Sequence, residues 1–378
     1  MHGDRARVKE PLRSRSGLDG FADNLTDWIR EVGARAPSYA AVVGELVDLL
    51  QGRGEKTESV RGALEKDWGE RTFDASYDRP LLFFAALRDD ALHSGPEHPL
   101  WEAVGADAVL PLTVTRERVA AALGPERVRV HRSLRERSVQ TNETSRAVTW
   151  LWPAHLLGAD AGSRQLALVD IGASAGLNLI ADRLPAIWKD ENGGDLPVVR
   201  EPDIGLRLGL DKHPLDALDP ETAIWLEACT WAGELDRIAR LRAGIDALRT
   251  AKERGEAPQL ERAEARAIPA IVADRTRDLA PGTRVLAYQT MTIEYFPPAE
   301  REAYTAGMQR WLESAPNACW LQLERDVAGD RAFPATITAT CAGTGRSVAR
   351  VRLARCGYHP KVVHPDSDGV RSFRESLP

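Results

Sequence analysis

The sequence predicts an α/β protein in which a helical N-terminal cap precedes a mostly parallel sheet. Apolar residues up to Leu157 recur at helical spacing, whereas short apolar strands alternate with helices after Leu166. At the junction, Leu166–Ile180 runs from an apolar strand through a turn of small residues into a helix. We therefore divide the 378 residues into three parts: a disordered tail over 1–17, the cap over 18–157 and an α/β domain over 158–378.

The cap is predicted from segments in which apolar residues recur every three or four positions. Pro37 and Pro80 stand where two of these helices begin. The predicted helical segments are Phe21–Val32, Tyr39–Leu50, Leu81–Leu92 and Val119–Leu134.

The α/β domain is predicted to hold five parallel strands and a closing antiparallel hairpin, seven strands in all. The parallel strands are Leu166–Ile171, Leu206–Leu210, Leu260–Glu264, Arg284–Gln289 and Cys319–Glu324. Helices are predicted through Arg183, over Pro220–Lys252 and over Pro298–Glu313. Leu184–Ile204 is rich in proline, glycine and charge, which indicates an insertion. The hairpin strands, Ala335–Cys341 and Ser347–Leu353, flank the turn Ala342–Arg346.

Composition excludes several classes of protein. The net charge is −6 with interspersed signs, so no basic surface for nucleic acid is indicated. The four cysteines form no C-x-x-C pair, which indicates reduced structural thiols and no metal site. No apolar run is long enough to cross a bilayer, and the first residues lack the apolar stretch of a signal peptide. We expect a cytoplasmic protein that does not bind membranes.

The turn after the first strand reads Asp170-Ile-Gly-Ala-Ser-Ala-Gly176. Its small side chains allow a ligand to approach the backbone closely. A dinucleotide fingerprint would need glycine where Ser174 and Leu177 stand, and no Gly-Lys-Ser/Thr of a P-loop follows. A tight strand-to-helix turn of any α/β protein is the alternative.

This D-x-G-x-x-x-G pattern resembles the first motif of S-adenosylmethionine-dependent methyltransferases with a Rossmann-like fold. The resemblance implies that the turn cradles the methionine and ribose end of the cofactor, with Asp170 supporting it. It also implies that Asp211, after the second strand, holds the ribose hydroxyls, although a surface turn would also explain an aspartate there. The expected cofactor-binding residues are Asp170, Gly172, Ala173, Ser174, Gly176, Asn178, Asp211 and Gln289.

A wider set of motifs resembles the bacterial domain of unknown function family 2332, whose members are described as methyltransferase-like without an assigned reaction. The motifs are Val139–Glu143 with Arg146, Asp170–Leu179 with Asp182-Arg183, Gly209–Asp211 with Pro214–Asp216, Trp225–Trp231, and Arg237 with Arg240–Arg242. Two features depart from the methyltransferase pattern. Tyr288–Tyr295 contains no Asp/Asn-Pro-Pro-Tyr, and the third predicted strand ends without a clear aspartate for the adenine.

Catalytic candidates lie before the helix that leads to the first strand. Methyl transfer needs an aligned nucleophile and an acceptor for its proton. Glu143 is the predicted general base, with Gln140 and Asn142 orienting the substrate; alternatively, Thr141 or Asn142 caps a helix. Tyr295 is predicted to stack on substrate, or else to be buried.

Glu324 is another candidate base, with a surface ion pair as its alternative. His359 receives no role, because no second ligand stands at a suitable spacing.

Three functions are consistent with these residues. The first is an S-adenosylmethionine-dependent methyltransferase for a small molecule of natural product biosynthesis. The second keeps the fold but catalyses another displacement or elimination, such as closure of a strained nitrogen ring on an intermediate tethered to a carrier protein. Residues 131–137, which are rich in cations, would then dock the acidic carrier. The third is a non-catalytic binding subunit with a protein partner.

Overall fold

The computed structural model describes residues 18, 20–69, 71–73, 78–105, 114–159, 165–326, 332–342 and 348–375. The predicted disordered tail, 1–17, lies outside the described residues. The chain divides into two compact units, Met1–Thr141 with Asp219–Ala239, and Asn142–Leu218 with Arg240–Pro378. This division falls after Thr141, not after Leu157 as predicted, and it assigns a later segment to the first unit.

The described residues contain twelve α-helices. They are α1 Phe21–Val32, α2 Pro37–Leu50, α3 Thr57–Trp68, α4 Asp78–Ser94, α5 Arg116–Ala122, α6 Val128–Glu136, α7 Val148–Leu156, α8 Pro220–Ala228, α9 Leu235–Glu253, α10 Ile268–Arg275, α11 Pro298–Ser314 and α12 Ser367–Glu375. Short 3-10 helices cover Gly95–Glu97, Thr144–Ala147, Leu177–Arg183 and Ile293–Tyr295, and a π-helix covers Trp101–Gly105.

The first unit is helical and has an aromatic core. The Phe21 and Trp68 rings lie 5.0 Å apart edge to face, and Tyr39 stacks on Phe84 at 4.2 Å. Such pairs add to the free energy gained by burying the rings. The Tyr39 hydroxyl accepts the Ala232 N–H at 3.0 Å, so residues after Asp219 complete this core.

Two long helices of the prediction are each split in two. Val119–Leu134 is divided between α5 and α6, because Gly124-Pro125 interrupts the helical hydrogen bonds. Pro220–Lys252 is divided between α8 and α9 by a turn that contains Gly233 at φ +87°. The prediction of α1 is confirmed at both ends.

Residues 131–137, which we predicted to dock an acidic carrier protein, are divided between buried and exposed positions. His131 is buried, with Nδ1 bonded to the Asp67 carboxylate and Nε2 3.0 Å from the Gly124 carbonyl oxygen. Arg135 pairs with the same carboxylate at 2.6 Å, and Arg137 lies 4.7 Å from the centre of the Trp225 ring. Asp67 therefore pairs with two of these side chains, whereas Arg132 is exposed.

The second unit contains one eight-stranded sheet, in the order β3-β2-β1-β4-β5-β6-β7-β8. The strands are β1 Leu166–Ile171, β2 Ile204–Asp211, β3 Gln259–Arg262, β4 Arg284–Thr290, β5 Ala318–Arg325, β6 Ala335–Ala342, β7 Val348–Cys356 and β8 Val363–Pro365. The first five pair in parallel and the last three are antiparallel. The predicted count of seven strands was wrong because β8 follows the hairpin. Of the predicted turn Ala342–Arg346, residues 343–346 are not among the described residues.

Alternate residues of the central strands enter two cores, one on each face of the sheet. Leu166 and Leu168 of β1 pack with Trp150 of α7, whereas Val169 and Ile171 pack with residues of α10 and α11. Both faces are covered, which explains why β1 is apolar along nearly its whole length.

None of the helices that the structure describes has the length and apolar character needed to span a membrane.

Candidate functional site

The strand order places a topological switch point at β1. Its neighbours β2 and β4 lie on opposite sides, so the connections that leave these strands diverge at their carboxyl ends. Doubly wound proteins bind ligands at this position. The turn Gly172–Gly176 follows β1 there, and it is the centre of the candidate site.

The backbone of the turn requires glycine at both ends. Gly172 and Gly176 have φ values of +79° and +72°, and Ser174 between them has φ +51°. A Cβ on Gly172 would lie 2.5 Å from Thr292 Oγ1, and one on Gly176 would lie 2.9 Å from Leu260 Cδ2. Contacts within the protein therefore account for the two glycines of the motif.

Side chains of the second unit hold the turn through its amides. The Ser174 N–H donates to Asp211 Oδ2 at 2.8 Å, and the Ala175 N–H donates to Asn142 Oδ1 at 3.2 Å. The N–H groups of Gly172 and Ala173 bond the carbonyl oxygen of Leu210. Each of these four amides already has an acceptor, so the turn is complete without a ligand.

Asp211 connects the end of β2 to the turn. Its Oδ1 accepts the His213 N–H at 2.7 Å, while Oδ2 accepts the Ser174 N–H. A carboxylate oxygen can accept two hydrogen bonds, so each retains capacity for another donor. This carboxylate, for which we predicted a ribose contact, is only partly buried.

Asp170 lies under the turn at the end of β1 and is buried. Burial raises the pKa of its carboxyl to about 8, and the Asp211 charge adds to this shift. Neither Asp170 Oδ2 nor the Tyr288 hydroxyl has a hydrogen-bond partner among the described residues. In its protonated form, Asp170 would donate a hydrogen bond, whereas a carboxylate can only accept one.

Asn142 and Glu143 approach the same region from the 3-10 helix Thr144–Ala147. Asn142 Nδ2 donates to Ser174 Oγ at 3.0 Å, so this side chain bonds both Ser174 and Ala175. Glu143 is 3 % exposed, and its Oε1 accepts the Ser145 N–H at 3.0 Å. The helix cap is thus Glu143, not Thr141 or Asn142 as the alternative prediction proposed.

Two residues that we did not predict lie near Glu143. His359 Nδ1 is 3.7 Å from Glu143 Oε2, and the charge of Glu143 acts on the Arg240 guanidinium. Arg240 also lies 5.9 Å from the centre of the Trp188 ring. Their signal in the sequence was weak: Arg240 is part of a motif that resembles the family, but it stands in a helix rich in charge.

A buried polar network joins the ends of β4 and β5. Glu324 Oε1 accepts Gln289 Nε2–H at 2.6 Å and the Thr292 N–H at 3.1 Å. Gln289 Oε1 accepts the Tyr304 hydroxyl and the Trp320 indole N–H. Gln289 is therefore part of the buried network, although we predicted a cofactor contact there.

Glu324 is 7 % exposed and is not the surface ion pair of the alternative prediction. Burial raises the pKa of its carboxyl, against the hydrogen bonds from Gln289 and from the backbone at Thr292 and Ile293. Its Oε2 has no hydrogen-bond partner among the described residues. The network holds the segment after β4, and with it the Thr292 side chain that packs on Gly172.

The remaining predicted residues are spread over the two units. Gln140 belongs to the first unit, where its backbone faces the Cys229 thiol. Tyr295 is 62 % exposed, so its alternative of a buried tyrosine is wrong. Asn178 follows the turn, and its Oδ1 is buried without a partner among the described residues.

Within the described ranges, no group of three or more histidine, cysteine, aspartate or glutamate side chains could hold a metal ion. A family model described as "Uncharacterized protein conserved in bacteria (DUF2332)" matches residues 29–364. None of the curated proteins and none of the solved structures matched the chain.

Proposed function

The chain belongs to the uncharacterised bacterial family DUF2332, and we propose that it is a methyltransferase-like enzyme that binds S-adenosylmethionine beside Gly172–Gly176 and modifies a small molecule. One observation carries the proposal: the Asp211 carboxylate accepts the Ser174 N–H at 2.8 Å. An acidic group and a small-residue turn thus share the sheet edge where doubly wound proteins bind ligands.

The residues at this edge fit such a cofactor. Asp211 would hold the ribose hydroxyls through the acceptor capacity that its backbone bonds leave. Asp170 Oδ2 and Asn178 Oδ1 are buried polar atoms without partners among the described residues, which native proteins rarely leave unsatisfied. When bound, S-adenosylmethionine supplies an electrophilic methyl group.

The chain's own contribution to the chemistry is alignment and proton transfer. Glu143 accepts the proton that the methyl acceptor loses. The Ser145 N–H donates to Oε1 at 3.0 Å, and His359 Nδ1 lies 3.7 Å from Oε2. Asn142 fixes the segment to the turn, so that the base and the turn keep one relative position.

Isothermal titration with S-adenosylmethionine and S-adenosylhomocysteine tests the proposal. We expect both to bind, and Asp211→Asn to weaken binding by about 10-fold or more, because a hydrogen bond to a charged group contributes roughly 1.5–3 kcal/mol. Asp246→Asn is the matched control, since Asp246 is exposed on α9 and pairs only with Arg249 at the surface. Circular dichroism of each variant checks that the turn remains folded.

If neither compound produces heat of binding or changes the melting temperature, S-adenosylmethionine is not the cofactor. Binding that is unaffected by Asp211→Asn and by Asp211→Glu would place the cofactor elsewhere.

A second candidate function is a displacement or elimination without a methyl donor, such as closure of a strained nitrogen ring. It is favoured by the completeness of the turn: Asn142 and Asp211 occupy its amides, and Thr292 fills the space over Gly172. Turnover by cofactor-free protein, lost in Glu143→Gln, would support it, whereas strict dependence on S-adenosylmethionine would exclude it. A chain that binds ligand or partner without turnover would be the non-catalytic subunit of the third hypothesis.

A further inference from the structure

Arg240 carries a guanidinium with an open hydrogen-bonding edge. Its Nε and Nη2 atoms are buried and have no acceptor among the described residues. Leaving a charged donor buried and unpaired costs more free energy than leaving it in water, so folded proteins seldom do it. The side chain belongs to the portion of α9 in the second unit.

The two open atoms form one side of the guanidinium. An Nε–H and a terminal N–H of arginine are parallel donors whose spacing matches the two oxygens of a carboxylate. The pair is therefore the fork that binds an anion through two hydrogen bonds. A single water or carbonyl oxygen would satisfy it incompletely.

The surroundings hold this fork in place without occupying it. Trp188 lies 5.9 Å from the guanidinium carbon, and its own indole N–H donates to the Ser145 carbonyl oxygen at 2.7 Å. Burial lowers the pKa of the Arg240 guanidinium, and the charge of Glu143 partly offsets this effect. Glu143 takes no hydrogen bond from Nε or Nη2, so the fork remains open.

The fork is connected to the turn through consecutive residues. Glu143 follows Asn142, and Asn142 bonds both Ser174 and Ala175. All of these residues belong to the second unit. A ligand beside the turn would thus have a partly buried cation on the side where the 3-10 helix Thr144–Ala147 begins.

We propose that Arg240 binds the carboxylate of a small-molecule ligand through Nε and Nη2. The inference rests on the ligand-binding role proposed for the turn, but not on the identity of the methyl donor. Two sources of the carboxylate share this chemistry: the amino-acid end of S-adenosylmethionine and an amino-acid-like substrate. Probes with and without a carboxylate distinguish the two sources.

The experiment measures binding to the wild type, Arg240→Met and Arg240→Lys. Isothermal titration compares S-adenosylhomocysteine with 5′-methylthioadenosine, which lacks the amino-acid end. Melting curves compare the melting temperature of the protein with L-glutamate or acetate against that with acetamide, which lacks the charge. Arg249→Met is the control, because Arg249 is 55 % exposed on the same helix and pairs with Asp246. If Arg240→Met does not fold, Arg240→Lys keeps the charge but loses the fork and carries the comparison.

We expect both Arg240 variants to lose about tenfold or more in affinity for a carboxylate ligand, as for other hydrogen bonds to charged groups. Loss confined to S-adenosylhomocysteine, with 5′-methylthioadenosine unchanged, assigns the carboxylate to the cofactor. Loss confined to the stabilisation by L-glutamate or acetate assigns it to the substrate. S-adenosylhomocysteine could fail to bind while L-glutamate or acetate still stabilises the wild type and not the Arg240 variants. The proposal of S-adenosylmethionine as cofactor would then be wrong, and the inference about Arg240 would stand. The inference is overturned if no compound distinguishes the folded variants from the wild type and from Arg249→Met.

Discussion

Asp170 shows how a single buried residue makes the stability of the protein depend on pH. Its carboxyl has a pKa of about 8 in the folded chain, against an ordinary value of 3.8. Between these values the unfolded chain releases the proton and the folded chain keeps it. A group with a raised carboxyl pKa therefore lowers stability as the pH rises through this range.

We predict that the free energy of unfolding falls as the pH rises from 4 to 8, by as much as about 1.4 kcal/mol per pH unit from Asp170. Asp170→Asn cannot titrate, so this part of the slope should disappear. Urea unfolding at several pH values, for the wild type and the variant, measures the difference. Asp246→Asn should keep the wild-type slope. Parallel curves for the wild type and Asp170→Asn would show that the carboxyl is already ionised.

At the scale of the structural element, the turn Gly172–Gly176 combines two separate requirements. Its glycines adopt a left-handed conformation, and the space over Gly172 belongs to Thr292. Gly193 has a similar φ of +82°, but a Cβ added there meets nothing within 4 Å. The two positions therefore separate backbone strain from steric overlap.

Gly193→Ala should lower the free energy of unfolding by roughly 1–2 kcal/mol, because alanine must then adopt the left-handed conformation. Gly172→Ala should cost about 1–3 kcal/mol more, because the new methyl group overlaps the Thr292 side chain. In a double mutant with Thr292→Ala the extra cost should be largely recovered, which a double-mutant cycle measured by urea unfolding can quantify. Equal losses for the two single glycine variants would mean that Thr292 moves aside freely.

The sequence indicated most of these elements but few of their partners. β1 was predicted at both ends because a run of apolar residues leads directly to a glycine. The break before α6 was missed because helical spacing continues across Gly124. Glu143 and Asp211 were identified as candidates, but their backbone partners depend on how distant segments meet. The same reason explains why Arg240 and His359 were not predicted.

At the scale of the whole molecule, local stability should follow strand position in the sheet of the second unit. Every residue of β1 and β4 is buried, and each strand is paired on both sides. β3 pairs only with β2 and is partly exposed. The backbone hydrogen bonds of β3 can therefore open without unfolding the centre of the sheet.

Hydrogen exchange measured by mass spectrometry should show this difference. We expect peptides over β1 and β4 to exchange more than about tenfold more slowly than a peptide over β3. If β3 exchanges as slowly as β1, the edge of the sheet opens only in global unfolding. Peptides over the partly exposed helix α12 provide an internal reference for fast exchange.

Both units are discontinuous in sequence, and this has a consequence for synthesis on the ribosome. The first unit includes Asp219–Ala239, so a nascent chain that ends at Thr141 lacks part of its core. β1 must wait longer for its second neighbour, because β4 begins only at Arg284. A fragment cut at Thr141 is therefore a poor choice for expressing the first unit. Translation must pass Ala239 before the core of the first unit can close, and it must pass β4 before β1 gains its second neighbour.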